Sequence, residues 1–379
     1  MTLAKQIYAK LRGDRVIWMI VVVLSVYSIL AVYSASTMQA FRTENTSVEG
    51  LMFTHLVKVL FGLFMVYVCS LVQYTQYKRM APYLLILVIP LLVYTIGFGA
   101  EINNARRWVD VPFIGGRFQP SDLAKLALVI YVANAISNKQ DYIDDFNDAF
   151  MPIIIPILII CGLIAPADLS TASVLFFTAL MMMFMGRVSL KYIALLLFLG
   201  IVLFMFLITL SQFFPDFVRA DTWANRFKEF IDGTGGVNIQ VTEAKIAIAN
   251  GEWVGVGPGN SMIKNYLPAS NSDYIYSIIC EEYGLIFGGL VILLLYVMLF
   301  FRCVSIVTRS PKAFGAMLAL GLGLLISFQA MLNIAVNVNL LPVTGLTLPM
   351  VSWGGTSILF SSIAFGMILS VSRYIEKTT

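Results

Sequence analysis

Charged side chains are scarce in this sequence. Asp, Glu, Lys and Arg make up 12% of its 379 residues, against roughly 25% in a soluble domain. Hydrophobic residues make up 59%. Because so few charges cannot form the surface of a water-soluble domain, the composition excludes an ordinary soluble enzyme and a disordered chain. It predicts a membrane protein with many spanning segments.

Histidine and cysteine are almost absent. His55 is the only histidine, and the four cysteines form no CxxC pair. Structural metal sites use closely spaced cysteine and histidine ligands, so neither a Cys/His metal site nor a disulfide scaffold is predicted. The cysteines lie in or beside apolar runs, where cysteine packs as a small apolar residue. They are Cys69, Cys161, Cys280 and Cys303.

Long apolar runs are the dominant feature of the chain. Most approach the roughly 20 residues that a helix needs to cross a bilayer, and they lack the alternation of barrel strands. The sequence therefore predicts an all-α polytopic membrane protein of about ten transmembrane helices, with residues 1–379 in one domain. The runs are Val16–Tyr33, Leu56–Val72, Pro82–Phe98, Leu123–Ile136, Met151–Ile164, Ala172–Met185, Tyr192–Leu210, Tyr274–Phe301, Phe314–Val336 and Ile358–Val371.

Basic residues fall mainly on one side of this predicted topology. With the N-terminus inside, alternating spans place most of them in the cytoplasm, as the positive-inside rule requires. Both termini are therefore predicted to be cytoplasmic, and no cleavable signal peptide is evident. The residues predicted inside are Lys5, Lys10, Arg12, Arg15, Lys78, Arg79, Lys139, Arg187, Lys191, Arg302, Arg309, Lys312, Arg373 and Lys377. The short outer loops hold Arg42, Arg106, Arg107 and Arg117.

One large extracytoplasmic loop, Gln212–Ser272, separates the seventh and eighth spans. Within it, Asn238–Asn250 has the pattern of an amphipathic helix lying at the membrane interface. The glycine run Gly255–Gly259 follows, and such a run can bring backbone N–H groups to a phosphate. Because it has no preceding strand and no Walker lysine, it predicts a flexible loop rather than a nucleotide site.

Charged residues inside or beside apolar runs are costly in a membrane, so they mark candidate functional positions. Lys58 lies early in the second span, where it can reach the outer headgroups or serve a function. Asp122 and Lys125 lie three residues apart on one helix face, either as a neutralising pair or as substrate contacts. Asp168 follows a proline break, where it can cap the next helix or belong to a site.

Asp273 comes directly before the eighth span. Asp273, Ser277 and Glu281 are spaced by four, so they share one helix face that would direct carboxylates from the outer surface into the bundle. The alternative is that Ser272 or Asp273 caps the helix. The residues alone predict an outward-facing polar cavity lined by acids, arginines and lysines. Such a cavity fits a transporter, a lipid-linked glycosyltransferase or, least well, a channel.

A series of motifs in a fixed order runs from Arg12 to Arg373. It begins with Tyr33-Ser-Ala-Ser36, Arg107-Trp108, Arg117-Phe-Gln-Pro-Ser-Asp122 and Lys125. It continues with Gly255-Val-Gly-Pro-Gly259, Ser261, Lys264, Leu267-Pro268, Ser272-Asp-Tyr274 and Glu281-Glu-Tyr-Gly284. It closes with Leu341-Pro342, Gly345-Leu-Thr-Leu-Pro349 and Ser352-Trp-Gly-Gly-Thr-Ser357. Together these motifs resemble the SEDS family (shape, elongation, division and sporulation), and its FtsW branch more than its RodA branch.

Some positions depart from the family pattern. Asn271 stands where the family often has histidine, so no histidine base is expected at that position. The family's QPDLGT reads Pro166-Ala-Asp-Leu-Ser-Thr171 here, so only Asp168 and Thr171 carry over. Thr344 replaces a lysine that is frequent in FtsW-type sequences, which removes one candidate phosphate contact.

The resemblance implies a peptidoglycan glycosyltransferase. Such an enzyme polymerises lipid II, a disaccharide-pentapeptide on undecaprenyl pyrophosphate, at the outer face of the bacterial cytoplasmic membrane, in cell division or elongation. Asp273 is then the catalytic base, and a divalent cation (Mg²⁺ or Mn²⁺) can bind there. Apolar grooves between spans can hold the polyprenyl chains. Substrate contacts are implied at Arg107, Trp108, Arg117, Gln119, Ser121, Lys125, Arg226, Ser261 and Lys264, and supporting roles at Asp122, Asp168, Glu281 and Glu282.

Partners are implied as well. SEDS proteins work with a class B penicillin-binding protein, a transpeptidase anchored by one helix, and with other divisome or elongasome membrane proteins. Nucleic acid is not a predicted partner. The main alternative is a lipid II flippase, although the sequence shows none of the inverted repeats that many transporters carry. A scaffold that only binds a synthase is the third interpretation.

Overall fold

The computed structural model describes residues 13–36, 48–102, 105–111, 116–213, 220–232, 238–267 and 270–375. They form a bundle of helices with three short strands, which confirms the predicted all-α membrane fold. Several residues named above lie outside the described part of the chain. They are Lys5, Lys10, Arg12, Arg42, Pro268 and Lys377.

The helices of the described residues follow the apolar runs closely. The first seven are α1 (Arg15–Ala35), α2 (Val48–Leu71), α3 (Tyr74–Phe98), α4 (Pro120–Asn138), α5 (Met151–Ile164), α6 (Leu169–Met185) and α7 (Leu190–Phe213). The others are α8 (Ala220–Asp232), α9 (Asn238–Gly251), α10 (Ile275–Gly284), α11 (Val291–Arg309), α12 (Ala313–Asn337) and α13 (Gly355–Ile375). Short 3₁₀ segments (Gln140–Tyr142, Ile263–Asn265) and π-helical segments (Phe146–Phe150, Leu285–Leu290) connect or extend them.

Eight helical segments of the described chain are long and apolar enough to cross a membrane. The two remaining apolar runs lie in α4 and α6, which are not among these eight. Helix α6 has only 17 residues, and α4 carries the charged Asp122 and Lys125 among mostly buried neighbours. The predicted count of about ten spans therefore stays a prediction.

A small antiparallel sheet lies between α3 and α4, and the hydropathy pattern did not predict it. Its strands are β1 (Ala100–Ile102), β2 (Ala105–Val111) and β3 (Gly116–Phe118), in the order β1-β2-β3. Trp108 pairs with Ala100, and Asp110 pairs with Arg117. The sheet therefore carries Arg107 and Trp108. It lies at the end of the bundle that the topology predicts to be the outer one.

The predicted eighth span is not one continuous helix. Helix α10 ends at Gly284, whose φ of 76° lies in the left-handed region, and the π-helical segment then leads into α11. A Cβ on Gly284 would lie 2.5 Å from the backbone nitrogen of Gly255, so the two backbones are in close contact. Glycine is required here because any side chain would separate the two segments.

The glycine run packs against this helix break, so the prediction of a flexible loop was wrong. The Val256 N–H donates to the Glu281 carbonyl at 2.9 Å, and the Gly257 N–H donates to the Glu282 carbonyl at 3.0 Å. These bonds satisfy carbonyl groups that the end of α10 would otherwise leave unpaired. The loop is thus part of the helix terminus.

The outer segment contains the helix predicted within it. Helix α9 buries Val241, Ala244 and Ala247, a spacing of three that forms one face. Ala244 and Ala247 join a small apolar cluster with Tyr274 and Ile278 of the α10 region. The helix is therefore confirmed, and its buried face contacts the protein itself, whereas its position at the membrane interface stays a prediction.

Several helix termini meet at the end of the bundle opposite the outer segment. Asp14 caps α1 through the N–H of Val16 at 2.9 Å, and its backbone N–H donates to Ser372 at 2.6 Å. Arg302 of α11 forms an ion pair with the same carboxylate. Helices α1, α11 and α13 are joined here, which agrees with the prediction that these termini share one side of the membrane.

Cysteine labelling tests the predicted orientation. Lys245→Cys on the exposed face of α9 should react with a membrane-impermeant maleimide in intact cells, because this segment is predicted to lie outside. Arg309→Cys at the end of α11 should react only after the cells are opened. The native cysteines are buried and give little background. Labelling of both positions in intact cells would contradict the ten-span model.

Candidate functional site

Asp273 lies in a turn whose backbone is held from several directions. The Trp353 N–H donates to the Asn271 carbonyl at 2.7 Å, and the Ser352 hydroxyl donates to the Ser272 carbonyl at 2.6 Å. The Asp273 carbonyl accepts from Asn333 at 2.9 Å. Three consecutive carbonyl groups are thus bonded, which fixes the position of the half-buried Asp273.

The alternative role of Asp273 as a helix cap is not supported. Helix α10 begins at Ile275, its N-cap residue is Tyr274, and no side chain of the cap residue bonds the first turn. The Asp273 carboxylate instead accepts a hydrogen bond from Ser272.

Two arginines and a second acid form the electrostatic surroundings of Asp273. Burial raises the pKa of the Asp273 carboxyl; the Ser272 hydrogen bond and the charge of Arg226 oppose this rise, Asp168 adds to it, and Arg107 opposes it. Burial also lowers the pKa of the Arg226 guanidinium, and repulsion by Arg107 adds to that shift. A carboxylate whose pKa is raised binds a proton more tightly, so this one is a better proton acceptor than an exposed aspartate.

Arg107 and Asp168 form the fixed part of this group. The Arg107 Nη1 lies 3.2 Å from Asp168 Oδ2, and its Nε donates to the Ala167 carbonyl at 2.8 Å. Asp168 Oδ1 accepts the Thr171 N–H at 3.0 Å, so Asp168 caps α6 as one interpretation predicted. It also holds Arg107, so the two interpretations of Asp168 are compatible.

Arg226 lies at the edge of an apolar groove of about 700 Å³. Its Nη1 donates to the Thr344 carbonyl at 3.4 Å. Helices α6, α7 and α8 and the segment 341–346 form the walls. The apolar lining includes Phe176, Phe204, Leu207, Trp223, Leu332 and Leu346. A cation beside Asp273 and a long apolar groove together suit a substrate with an anionic headgroup and a lipid tail.

The pair on α4 is present as predicted, within a larger network. Lys125 Nζ lies 2.9 Å from Asp122 Oδ1. The Thr356 hydroxyl donates to Asp122 Oδ2 at 2.9 Å, and Lys125 donates to Gln329 at 3.3 Å. Asp122 and Lys125 are buried, so they neutralise each other inside the bundle. Two further candidates lie beside them: Gln119 donates to Ser121 at 3.0 Å.

A second predicted group lies in the interior instead of lining an open cavity. Glu281 accepts from the Ser261 hydroxyl and from the Met262 N–H at 3.3 Å. Ser277 and Glu281 are buried, so the face that they share with Asp273 is directed into the bundle, as its spacing predicted. The outer segment folds over this face, and Glu281 is therefore bonded within the protein.

Glu282 and Lys264 meet through Ser34 of α1. The Ser34 hydroxyl donates to Glu282, and Lys264 Nζ donates to Ser34 at 3.1 Å and to the Gly259 carbonyl at 2.6 Å. These contacts attach the outer segment to α1. The substrate contacts predicted for Ser261 and Lys264 stay predictions, because both side chains bond within the protein.

Two of the remaining candidates lie on the sheet, and Lys58 lies on α2. Arg117 Nε lies 3.5 Å from Asp110 Oδ1, and both side chains are exposed. Trp108 is half-buried in β2. Lys58 lies with its Nζ 4.8 Å from the centre of the Trp353 ring, a cation–π contact within the protein. Their roles toward a substrate stay predictions.

A divalent cation at Asp273 stays a prediction. Among the described residues, no group of three or more histidine, cysteine, aspartate or glutamate side chains could hold a metal ion. Mg²⁺ commonly binds one or two carboxylates together with substrate phosphates. Asp273 with the phosphates of a bound substrate is the donor set that would fit, since Asp168 is already engaged.

Replacing members of the α4 pair tests its structural role. Lys125→Met leaves the buried Asp122 charge without its cation, which costs about 3–5 kcal/mol. The double variant Asp122→Leu/Lys125→Met leaves no uncompensated charge. Both variants remove the Lys125 bond to Gln329, so the double variant additionally loses only the Thr356 hydrogen bond, at about 1–3 kcal/mol. Thermal unfolding should show the single variant to be the less stable of the two. A double variant that unfolds first would refute the pairing.

Comparison with known proteins identifies the family. The FtsW/RodA/SpoVE family model, described as a cell cycle protein, matches residues 14–377. The probable peptidoglycan glycosyltransferase FtsW of Trichlorobacter lovleyi is 33% identical over 368 residues, which cover 95% of this chain and 93% of the relative. The protein of the same name from Haemophilus influenzae is 31% identical and covers 95% and 90%.

Solved structures share the fold. The rod shape determining protein RodA of Thermus thermophilus superposes with a TM-score of 0.68 at 21% identity, covering 96% of this chain and 98% of RodA. A chain from "Structural coordination of polymerization and crosslinking by a peptidoglycan synthase complex" superposes with a TM-score of 0.72 at 22% identity, covering 95% and 98%. The family model and the curated relatives agree over nearly the whole length. The chain therefore belongs to the FtsW/RodA/SpoVE family of polytopic membrane proteins.

Proposed function

We propose that this protein is a peptidoglycan glycosyltransferase that polymerises lipid II at the outer face of the bacterial cytoplasmic membrane, in cell division as its FtsW relatives suggest. One observation carries the proposal: the charges of Arg107 and Arg226 act on the carboxylate of Asp273, which is fixed in position. Arg226 also lies at the edge of a long apolar groove. Glycosyl transfer from a lipid pyrophosphate needs a proton acceptor, positive charge and a place for the lipid.

The reaction assigns a role to each group. The Asp273 carboxylate takes the proton from the 4-hydroxyl of the acceptor GlcNAc as that oxygen attacks C1 of the donor sugar. The bond from C1 to the pyrophosphate breaks, and the lipid pyrophosphate leaves with its electron pair. Arg107 and Arg226 stabilise the negative charge that develops on the leaving group. If a divalent cation takes part, it would add positive charge at the same phosphates.

The apolar groove gives the polyprenyl chain a defined position. Its volume of about 700 Å³ falls within the usual range of ligand pockets, and its walls are mostly aliphatic and aromatic. Arg226 lines the groove and its charge acts on Asp273, so a lipid in the groove could place its pyrophosphate at the arginine. The sugar would then extend toward Asp273.

Purified protein supplied with lipid II in detergent tests the activity directly. Formation of glycan polymer without any added polymerase supports the proposal. Transfer of lipid II across the membrane of a vesicle without polymer formation would instead support the alternative, a flippase. The predicted outward position of the candidate site favours the polymerase, because a transporter needs access from both sides.

Asp273→Asn tests the base. An amide cannot accept the proton, so polymerisation should fall by about 10²–10⁴-fold. Stability should change little, because the Asp273 carboxylate caps no helix. Glu252→Gln, the same chemical change at an exposed position, is the matched control and should retain activity. A folded Asp273→Asn protein that polymerises at nearly the wild-type rate would refute the catalytic role.

The transpeptidase partner has a candidate surface. The structure that shares this fold belongs to a peptidoglycan synthase complex, which supports a class B penicillin-binding protein as partner. The ninth predicted span, α12, is largely buried, so it offers little surface of its own. Exposed apolar side chains on the π-helical segment and α11 are Phe287, Leu290, Leu294 and Phe301.

Photo-crosslinking tests this surface. A photoreactive residue in place of Leu294 should capture a class B penicillin-binding protein in native membranes, because a single-helix anchor would pack against α11. The same residue in place of Ile86 of α3, which is also exposed, is the control and should capture none. Equal capture at both positions, or none at α11, would contradict the proposed interface.

A further inference from the structure

Two asparagines of α12 contact the main chain of Asp273. The Nδ2 atoms of Asn333 and Asn337 donate to the Asp273 carbonyl oxygen at 2.9 and 3.0 Å. The two side chains are 2% and 0% exposed. A buried amide is costly unless its groups are hydrogen-bonded, so two of them on one carbonyl indicate a specific role.

Asn337 also performs the capping of α10. Its Oδ1 accepts from the Ser277 hydroxyl at 2.7 Å and from the Ser277 N–H at 3.2 Å. Ser277 is the third residue of α10, and a capping side chain normally accepts the N–H at this position. The same N–H also reaches the Tyr274 carbonyl at 3.1 Å. A side chain from another helix therefore supplies the acceptor that an aspartate before the helix usually supplies.

The Asn333 amide also connects Asp273 to the segment that follows α12. Its Nδ2 donates to the Leu346 carbonyl at 2.7 Å as well as to the Asp273 carbonyl, whereas the Asn337 amide also donates to the Asn333 carbonyl at 2.9 Å, within α12. Gly345 precedes Leu346, and a Cβ on this glycine would lie 3.7 Å from Asp273 Oδ2. Asn333 thus holds the segment at Gly345 and Leu346 beside the carboxylate, and Asn337 is bonded to Asn333.

We propose that Asn333 and Asn337 are positioning residues for glycosyl transfer. They hold the Asp273 main chain, and Asn337 takes over the cap of α10, so that the Asp273 carboxylate is left for the acceptor hydroxyl. This inference rests on the proposed function. It predicts that loss of the amides slows the chemical step while lipid II still binds.

Steady-state kinetics of Asn333→Leu, Asn337→Leu and the double variant test the proposal. Each single variant leaves one donor on the carbonyl and should lower kcat by up to about tenfold, the value of one net hydrogen bond. The double variant leaves none and should lower kcat by about 100-fold, with KM for lipid II nearly unchanged. Leu322→Ala in the same helix, at a position that is 0% exposed, is the control. It should lower the melting temperature without lowering kcat.

Asn337→Asp separates the two contacts of this side chain. The variant keeps an acceptor for Ser277, and so the cap of α10, but it loses the donor to the Asp273 carbonyl. With the melting temperature as the check on folding, kcat should fall about as far as in Asn337→Leu, while KM for lipid II stays nearly unchanged. A folded Asn337→Asp protein with the wild-type kcat would refute the positioning role.

The outcomes separate this inference from the proposed function. A folded double variant with nearly wild-type kcat, or an equal loss of kcat in Leu322→Ala, would overturn the positioning role. If the double variant fails to fold, the kcat values of Asn333→Leu and Asn337→Asp decide instead. An active Asp273→Asn protein would overturn the catalytic assignment itself. An inactive Asp273→Asn beside an active double variant would overturn the positioning role alone.

Discussion

A charge inside the helical bundle needs a partner, because apolar surroundings stabilise none. Much of the interior follows from this constraint. Asp122 is paired with Lys125 at 2.9 Å, and Arg107 with Asp168 at 3.2 Å. Asp273 differs, since its carboxylate has a serine hydrogen bond and neighbouring guanidinium charges, and it belongs to none of the ion pairs in the described part of the chain. Because the Asp273 carboxylate is not held in one of these ion pairs, it is the acid that we expect to take part in the reaction.

Neutral hydrogen-bond donors hold the main chain of the residue that carries this carboxylate. The turn 271–273 is bonded through its carbonyls to Trp353, Ser352, Asn333 and Asn337. Neutral donors hold the main chain without adding charge, so the electrostatic surroundings of Asp273 are left to the two arginines and Asp168. The position of Asp273 and the charges around it therefore depend on different residues. A substitution can alter one of the two without altering the other.

The sequence by itself determined the scaffold and the candidates. Apolar runs of near-bilayer length fall within helices of the described structure, because length and hydropathy alone decide whether a segment can lie in lipid. The pair on α4, the cap at Asp168 and the helix in the outer segment also follow from spacing along one helix. The order of the motifs was enough to identify the family that the comparisons confirm over residues 14–377.

The tertiary structure decided what spacing could not. The periodicity placed Glu281 on one face with Asp273, but the outer segment covers that face and Ser261 binds Glu281. The spacing left the cap of α10 open between two residues, and the acceptor proved to be Asn337, 60 residues further along the chain. Such contacts join segments that are adjacent only after the helices pack. No local pattern encodes them, since each depends on which face of one helix meets which face of another.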